Sequence, residues 1–179
     1  MTIVLAITLL LGSATTALAD EYTCRGTLGA RTLDNVRVPD GSTCTLNGTT
    51  VKGTVKVETG ATLVASEVRV VGNVQAENAA KVVVRDSRVG GSVQVKQGKA
   101  ADIRRNRVNA DTQFDENRRK LAAVNNAVGG NVQAFSNSGG VVIRSNHIDG
   151  NLQCKENNPA PTGGGNTVEG NKEDQCRRL

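Results

Sequence analysis

The chain has 179 residues, 37% of them apolar, with 20 glycines and a formal net charge of +5. This is the size and apolar share of one ordinary globular domain and excludes a disordered chain or a long coiled coil. Aromatic residues make up only 2% and Trp is absent, which argues against a site built on stacking of sugar rings or bases, and so against specific nucleic-acid binding. The positive balance favours acidic partners.

Ile3 to Leu11 form an apolar run, and Ala17-Leu18-Ala19 has the small-x-small form of a signal-peptidase site. Residues 1–19 are therefore read as a signal peptide, although no Lys or Arg precedes the run. The run is shorter than the ~20 apolar residues of a bilayer span, and no second apolar stretch follows. The mature chain is expected to begin at Asp20, to have no membrane span, and to be secreted or periplasmic.

From there a repeat dominates. Asn73-Val74-Gln75-Ala76 recurs as Ser92-Val93-Gln94-Val95, Asn131-Val132-Gln133-Ala134 and Asn151-Leu152-Gln153-Cys154, with weaker copies at Asn35-Val36-Arg37-Val38, Thr54-Val55-Lys56-Val57 and Asp111-Thr112-Gln113-Phe114. The second positions follow at spacings of 19 or 20 residues. Other columns keep this period: Val51, Val70, Val89, Val108, Val128, Ile148 and Val168 form one. Within each unit apolar positions alternate with polar ones, the signature of strands with one buried face. Twenty-four valines agree with strands.

A unit this short holds about three strands and cannot bury its apolar face alone, so stacking supplies the core. The expected fold is all-β: a single-stranded parallel β-solenoid of 7–8 coils with equivalent residues ~4.8 Å apart. The domain plan is an N-terminal cap at 20–33, the solenoid at 34–170 and a C-terminal cap at 171–179. A sandwich of antiparallel hairpins is the alternative, but hairpins have no reason to repeat identities at this period. Gly53, Gly72, Gly91, Gly130, Gly150 and Gly170 recur at one corner and are expected to supply positive φ there. Asn106, Asn126, Asn146 and Asn166 form a ladder at another corner, where side-chain amides can bond along the stack.

On the Val-x-Gly-Asn-Val-Gln repeat and its ladders, residues 34–170 resemble the secreted bacterial right-handed parallel β-helix proteins. Left-handed hexapeptide helices need coils in multiples of six, which 19–20 is not. The short regular coils are similar to those of the polymer-forming bactofilins, whereas the export signal is shared with pectate-lyase-like enzymes, whose coils are longer and carry large loops. No closer family follows from the residues.

The four cysteines, Cys24, Cys44, Cys154 and Cys176, all lie in the mature chain, and an even count in an exported protein points to disulfides. Cys24 and Cys44 are one coil apart, as are Cys154 and Cys176 to within two residues. A coil rise lies within the Cα separation that a disulfide accepts, whereas cross-pairing the ends would span roughly 25–30 Å. One staple at each end is expected, and the same separation rules out a four-cysteine zinc site. Lys172 and Asp174 stand where earlier coils place apolar residues, marking a cap against end-to-end strand addition.

The search for chemistry yields little, and no catalytic residue is assigned. Ser145, His147 and Asp149 alternate as if on one strand face, but at ~6.6–7 Å between neighbours they are too far apart for a triad. His147 is expected to be a solvated outward side chain. No His/Cys cluster has metal-ligand spacing, and Gly163-Gly164-Gly165 reads as a loosened corner. Arginine is less bland. Arg69, Arg88 and Arg107 share one column at 19-residue spacing, with Arg85, Arg104, Arg105 and Arg144 in columns nearby. Together they form a candidate anion-binding strip, with Glu67, Asp86 and Asp102 expected to offset part of its charge.

The reading is an exported, non-catalytic solenoid acting as a structural or surface-binding module for an acidic polysaccharide or cell-surface polymer, without a cofactor. The alternative is a polysaccharide lyase or hydrolase on an acidic glycan, in which Arg107 or Arg88 acts beside Asp86, Glu67 and Asp102 and calcium is bound. The oligomeric state is not legible in the sequence.

Overall fold

A computed structural model describes residues 20–179; the signal peptide expected at 1–19 lies outside the described residues. Among the described residues there are 25 strands and no helix. The strands form three parallel sheets of nine, eight and eight members, and hydrogen-bonded neighbours in a sheet are always three strands apart in the chain. Each coil therefore contributes one strand to each sheet, and the chain winds through about eight coils. One coil reads Val93–Lys96 in the first sheet, Ala100–Arg104 in the second and Arg107–Val108 in the third.

The register is the sequence period itself. Val74 lies against Val93, Val93 against Thr112, and Val132 against Leu152. Alternation along each strand sends one set of side chains inward, where like stacks on like. Leu63, Val82 and Ala101 form one inward column; Val70, Val89, Val108 and Val128 form another, all buried. Phe114 is the largest buried side chain, stacked between Val95 and Ala134 in the register of its strand. The small Ala134 leaves room for the ring, so volume is conserved along the column although identity is not.

The corners work differently from the sequence expectation. Gly53, Gly72, Gly91, Gly130, Gly150 and Gly170 do not have positive φ. They are glycine because coils approach closely there: a Cβ at Gly72 would lie 2.6 Å from the Gly53 carbonyl oxygen, and at Gly150 2.7 Å from that of Gly130. The left-handed positions belong to other residues. Glu67, Asp86, Arg105, Asn125 and Ser145 hold one corner at φ of 53–56°, and Asn78, Gln97, Glu116, Ser136 and Glu156 hold another at 53–58°. Non-glycine residues seldom adopt this conformation, and each of these except Asn78 precedes a position whose backbone N–H is held by a side chain of the next coil.

Those holding positions are the asparagine ladders. Asn126 donates from Nδ2 to the Ile103 carbonyl (2.9 Å) and to Asn146 Oδ1 (3.0 Å), while its Oδ1 accepts from the backbone N–H (3.0 Å) and Nδ2 (3.1 Å) of Asn106. Asn146 and Asn166 continue the pattern, and Ser87 precedes it with a hydroxyl. A second ladder, Asn117, Asn137 and Asn157, does the same at the opposite corner. Both are buried. An outward ladder of glutamines, Gln75, Gln94, Gln113, Gln133 and Gln153, runs along the first sheet with amide contacts of 2.8–3.4 Å.

The ladders end in matched groups. Gln153 donates to Glu173 at 2.9 Å, and Gln175 both accepts from Asn157 and donates to its carbonyl. The polar Lys172 reaches the Asn166 carbonyl at 3.0 Å. Residues 20–33 carry one strand of each sheet, Glu21–Thr23, Gly26–Leu28 and Thr32–Leu33, and residues 171–179 add Lys172–Asp174 to the first sheet. Cys24–Cys44 and Cys154–Cys176 staple the two ends across Cα separations of 5.6 and 5.2 Å, the pairing expected from the period. Of the glycine triplet, Gly163 and Gly164 lie in strand Thr162–Gly164, and Gly165 takes the left-handed corner held one coil earlier by Ser145.

Replacing Asn126 by Ala orphans the Ile103 carbonyl and the Asn106 N–H together. An unsatisfied buried group costs ~1–3 kcal/mol, so urea denaturation is expected to show a loss of about 2–4 kcal/mol. Gln133→Ala, where water can replace the amide, is expected to cost less than about 1 kcal/mol. Equal losses at the two positions would contradict the assignment of buried and outward ladders.

Candidate functional site: a cationic face on the third sheet

The third sheet consists of two-residue strands, in which the second side chain turns toward the core and the first away from it. In Arg69–Val70, Arg88–Val89 and Arg107–Val108 the valine is buried and the arginine exposed. Arg88 is in direct register with Arg69 on one side and Arg107 on the other, which sets their backbones ~4.8 Å apart. Among the described residues none of the three takes part in an ion pair. Beside them runs a column of Val71, Gly90, Asn109 and Gly129. A groove of about 370 Å³ is lined by Arg69, Arg88, Arg107, Val71, Gly90 and Asn109. Val71 is 53% exposed, an apolar surface beside three cations.

The remaining arginines belong elsewhere. Arg85 and Arg104, on the second sheet, both bind Asp102. Arg105, at a left-handed corner, chelates Asp86 through Nε (2.6 Å) and Nη2 (2.8 Å). Arg144, also on the second sheet, lines a shallow groove with Arg104 and Lys120. The seven arginines are thus divided between two faces and a corner. Asp86 and Asp102 offset Arg85, Arg104 and Arg105 and leave the central ladder uncompensated; Arg144 and Glu67 form no ion pair among the described residues.

The carboxyl groups respond accordingly. Hydrogen bonds from Arg105 hold Asp86 below the ordinary carboxylate range against a smaller desolvation effect, and Asp86 in turn raises Arg105. For Asp102 burial is the largest single influence and pushes upward, but the hydrogen bonds and charges of Arg104 and Arg85 together outweigh it, so its pKa is also lowered.

The histidine region departs from expectation. Ser145 sits at the corner with φ of 54°, off the short strand His147–Ile148, so it does not share a face with His147. His147 is outward and exposed as expected, but it is not isolated. Its Nε2 lies 3.3 Å from Asp149 Oδ1 and 3.6 Å from Glu169 Oε1. Glu169 comes from the next coil, one period after Asp149, and a search for local ligand spacing passes over it. The period alone would have paired 149 with 169.

No known protein-family model matches this chain, and no curated protein or solved structure shows significant similarity to it.

Because the Asp102 pKa is depressed in the fold, the stability it contributes is present above the unfolded carboxylate value of ~3.9 and is lost as pH falls through its own lower value. Asp102→Asn is therefore expected to cost about 1 kcal/mol near neutral pH, a partly exposed pair being worth little more. In denaturation series the difference from wild type is expected to shrink steadily as the pH falls below the unfolded carboxylate value of ~3.9. A difference that grows with acid would contradict the pairing.

Proposed function

We propose that this chain is an exported, non-catalytic β-solenoid whose third sheet binds an acidic polysaccharide or another anionic cell-surface polymer. The observation that carries this reading is the ladder Arg69, Arg88 and Arg107, in register, exposed, and without ion-pair partners among the described residues. Like charges at this spacing repel, by about 0.9 kcal/mol per neighbouring pair in water, and an anionic ligand relieves that repulsion. The planar guanidinium binds carboxylate or sulfate through two parallel hydrogen bonds. The backbone sets the repeat, which suits a polymer that carries its anions at regular intervals.

Two disulfides, at opposite ends of the solenoid, fit an oxidising extracellular or periplasmic compartment. Export through a signal peptide at residues 1–19 completes the proposal. The binding reading is favoured over a lyase because two of the three acids that the lyase would use, Asp86 and Asp102, are engaged by Arg105 and by Arg85 with Arg104, which leaves Glu67 alone without an ion pair among the described residues.

Mature protein is expected to be retained on a heparin-like resin and to elute early as salt rises, since exposed charges are screened over ~8–10 Å near physiological ionic strength. Changing Arg69, Arg88 and Arg107 together to Gln is expected to abolish retention with the fold intact by circular dichroism. Changing Lys96, Lys99 and Lys155 to Gln removes the same charge elsewhere and is expected to leave most of it. Equal loss from both triples would reduce the effect to net charge and overturn the assigned face. Unsaturated products from polygalacturonate or alginate would overturn the non-catalytic reading.

A further inference from the structure

We infer that His147, Asp149 and Glu169 form a binding site for one divalent transition-metal ion of the zinc, cobalt or nickel class. Ile148 is fully buried, so its neighbours in the chain are directed outward. The backbone N–H of Asp149 is held by the Val128 carbonyl and that of Glu169 by the Ile148 carbonyl, both at 2.9 Å. The register of His147 with Thr167 and of Ile148 with Val168 sets Asp149 and Glu169 one above the other. Three potential donors, one imidazole nitrogen and two carboxylate oxygens, therefore converge from two rigid coils rather than from a flexible loop.

Their geometry fits a metal. The donor atoms all lie within 4.8 Å of one another, with Nε2 3.3 and 3.6 Å from the two oxygens. Tetrahedral zinc with arms of 2.0–2.2 Å needs donors about 3.4 Å apart. Among the described residues no Lys or Arg lies within ion-pair distance of either carboxylate; His147 is their shared partner. The third sheet also changes character at this point. Its outward column runs Arg69, Arg88, Arg107 and then Ala127, His147, Thr167. The cations stop two strand spacings short of the site, about 9.6 Å from His147.

The imidazole sets the class of ion. Calcium and magnesium take all-oxygen ligand sets, whereas imidazole with carboxylate suits zinc and its first-row neighbours. Three protein donors leave at least one coordination position open, and all three side chains are at least half exposed. A groove of about 490 Å³ is lined by His147 and Asp149 together with Arg107, Asn109, Ala127 and Gly129.

Isothermal titration with zinc chloride alone, on tag-free mature protein, tests the site without any glycan. The expected result is one saturable equivalent of micromolar affinity that millimolar calcium does not displace. His147 is the only histidine in the sequence, so the two carbon-bound ring protons of its imidazole are the only such pair and are expected to shift or broaden in step with the titration. Second-sphere partners alone are worth about 10–100-fold in affinity, so His147→Ala and Glu169→Gln are each expected to weaken binding at least about tenfold. Asp174→Asn, outside the cluster, is expected to leave it unchanged, and circular dichroism verifies the fold of each variant. Absence of a saturable equivalent, or unchanged affinity in folded His147→Ala, would overturn the site.

Discussion

Everything in this molecule depends on hydrogen bonding between a coil and its neighbour at a displacement of one repeat. Parallel strands bond evenly along their length, but a solenoid must also satisfy the backbone where the strands end, and at its corners that backbone is buried. The asparagine ladders meet this need. Each amide holds both an N–H of the preceding coil with its oxygen and a carbonyl of that coil with its nitrogen, as Asn126 does for Asn106 and Ile103, while its nitrogen also reaches the next amide of the ladder. Leaving such groups unpaired would cost more than most apolar contacts return. The left-handed residues in front of each ladder, Arg105, Asn125 and Ser145 among them, are the conformational cost of presenting the next N–H at the right angle.

The same constraint produces the outward faces. Once register is imposed by the core, every outward residue also stacks on its counterpart, whether or not that is electrostatically comfortable. In the first sheet the result is a self-satisfied glutamine ladder. In the second it is a carboxylate held between two arginines. In the third it is three arginines with no internal partner, followed after one alanine by a histidine beside two acids. Chemically different surfaces thus come from changing one outward residue per coil, with the core left alone.

How much of this the sequence disclosed follows from what a period can reveal. Stacking partners are one period apart, so the inward columns, the Asn106–Asn166 ladder and both disulfides were legible. The arginine column was legible too, though not which arginines a carboxylate neutralises, because Asp102 meets Arg85, and Asp86 meets Arg105, across adjacent coils through side-chain direction. The recurrent glycines misled because a repeated glycine is equally consistent with positive φ and with close approach; the Gly53 carbonyl beneath Gly72 decides for the latter. The Asn117–Asn157 ladder shows only three copies, with Gly98 in place of the fourth. The His147 cluster joins residues from two coils, which a scan for ligands along a single segment passes over.

The coil register can be measured directly by scalar couplings across hydrogen bonds in isotope-labelled protein. The account predicts couplings from the amide of Arg107 to the carbonyl of Ser87, from Ala127 to Asn106, and from His147 to Asn126, whose N–O distances are 2.9–3.0 Å. Each joins residues one coil apart in the same direction. Couplings that instead join these amides to carbonyls a few residues away, in the reciprocal pattern of antiparallel hairpins, would contradict the stacking on which the ladders, the cationic face and the metal site all rest.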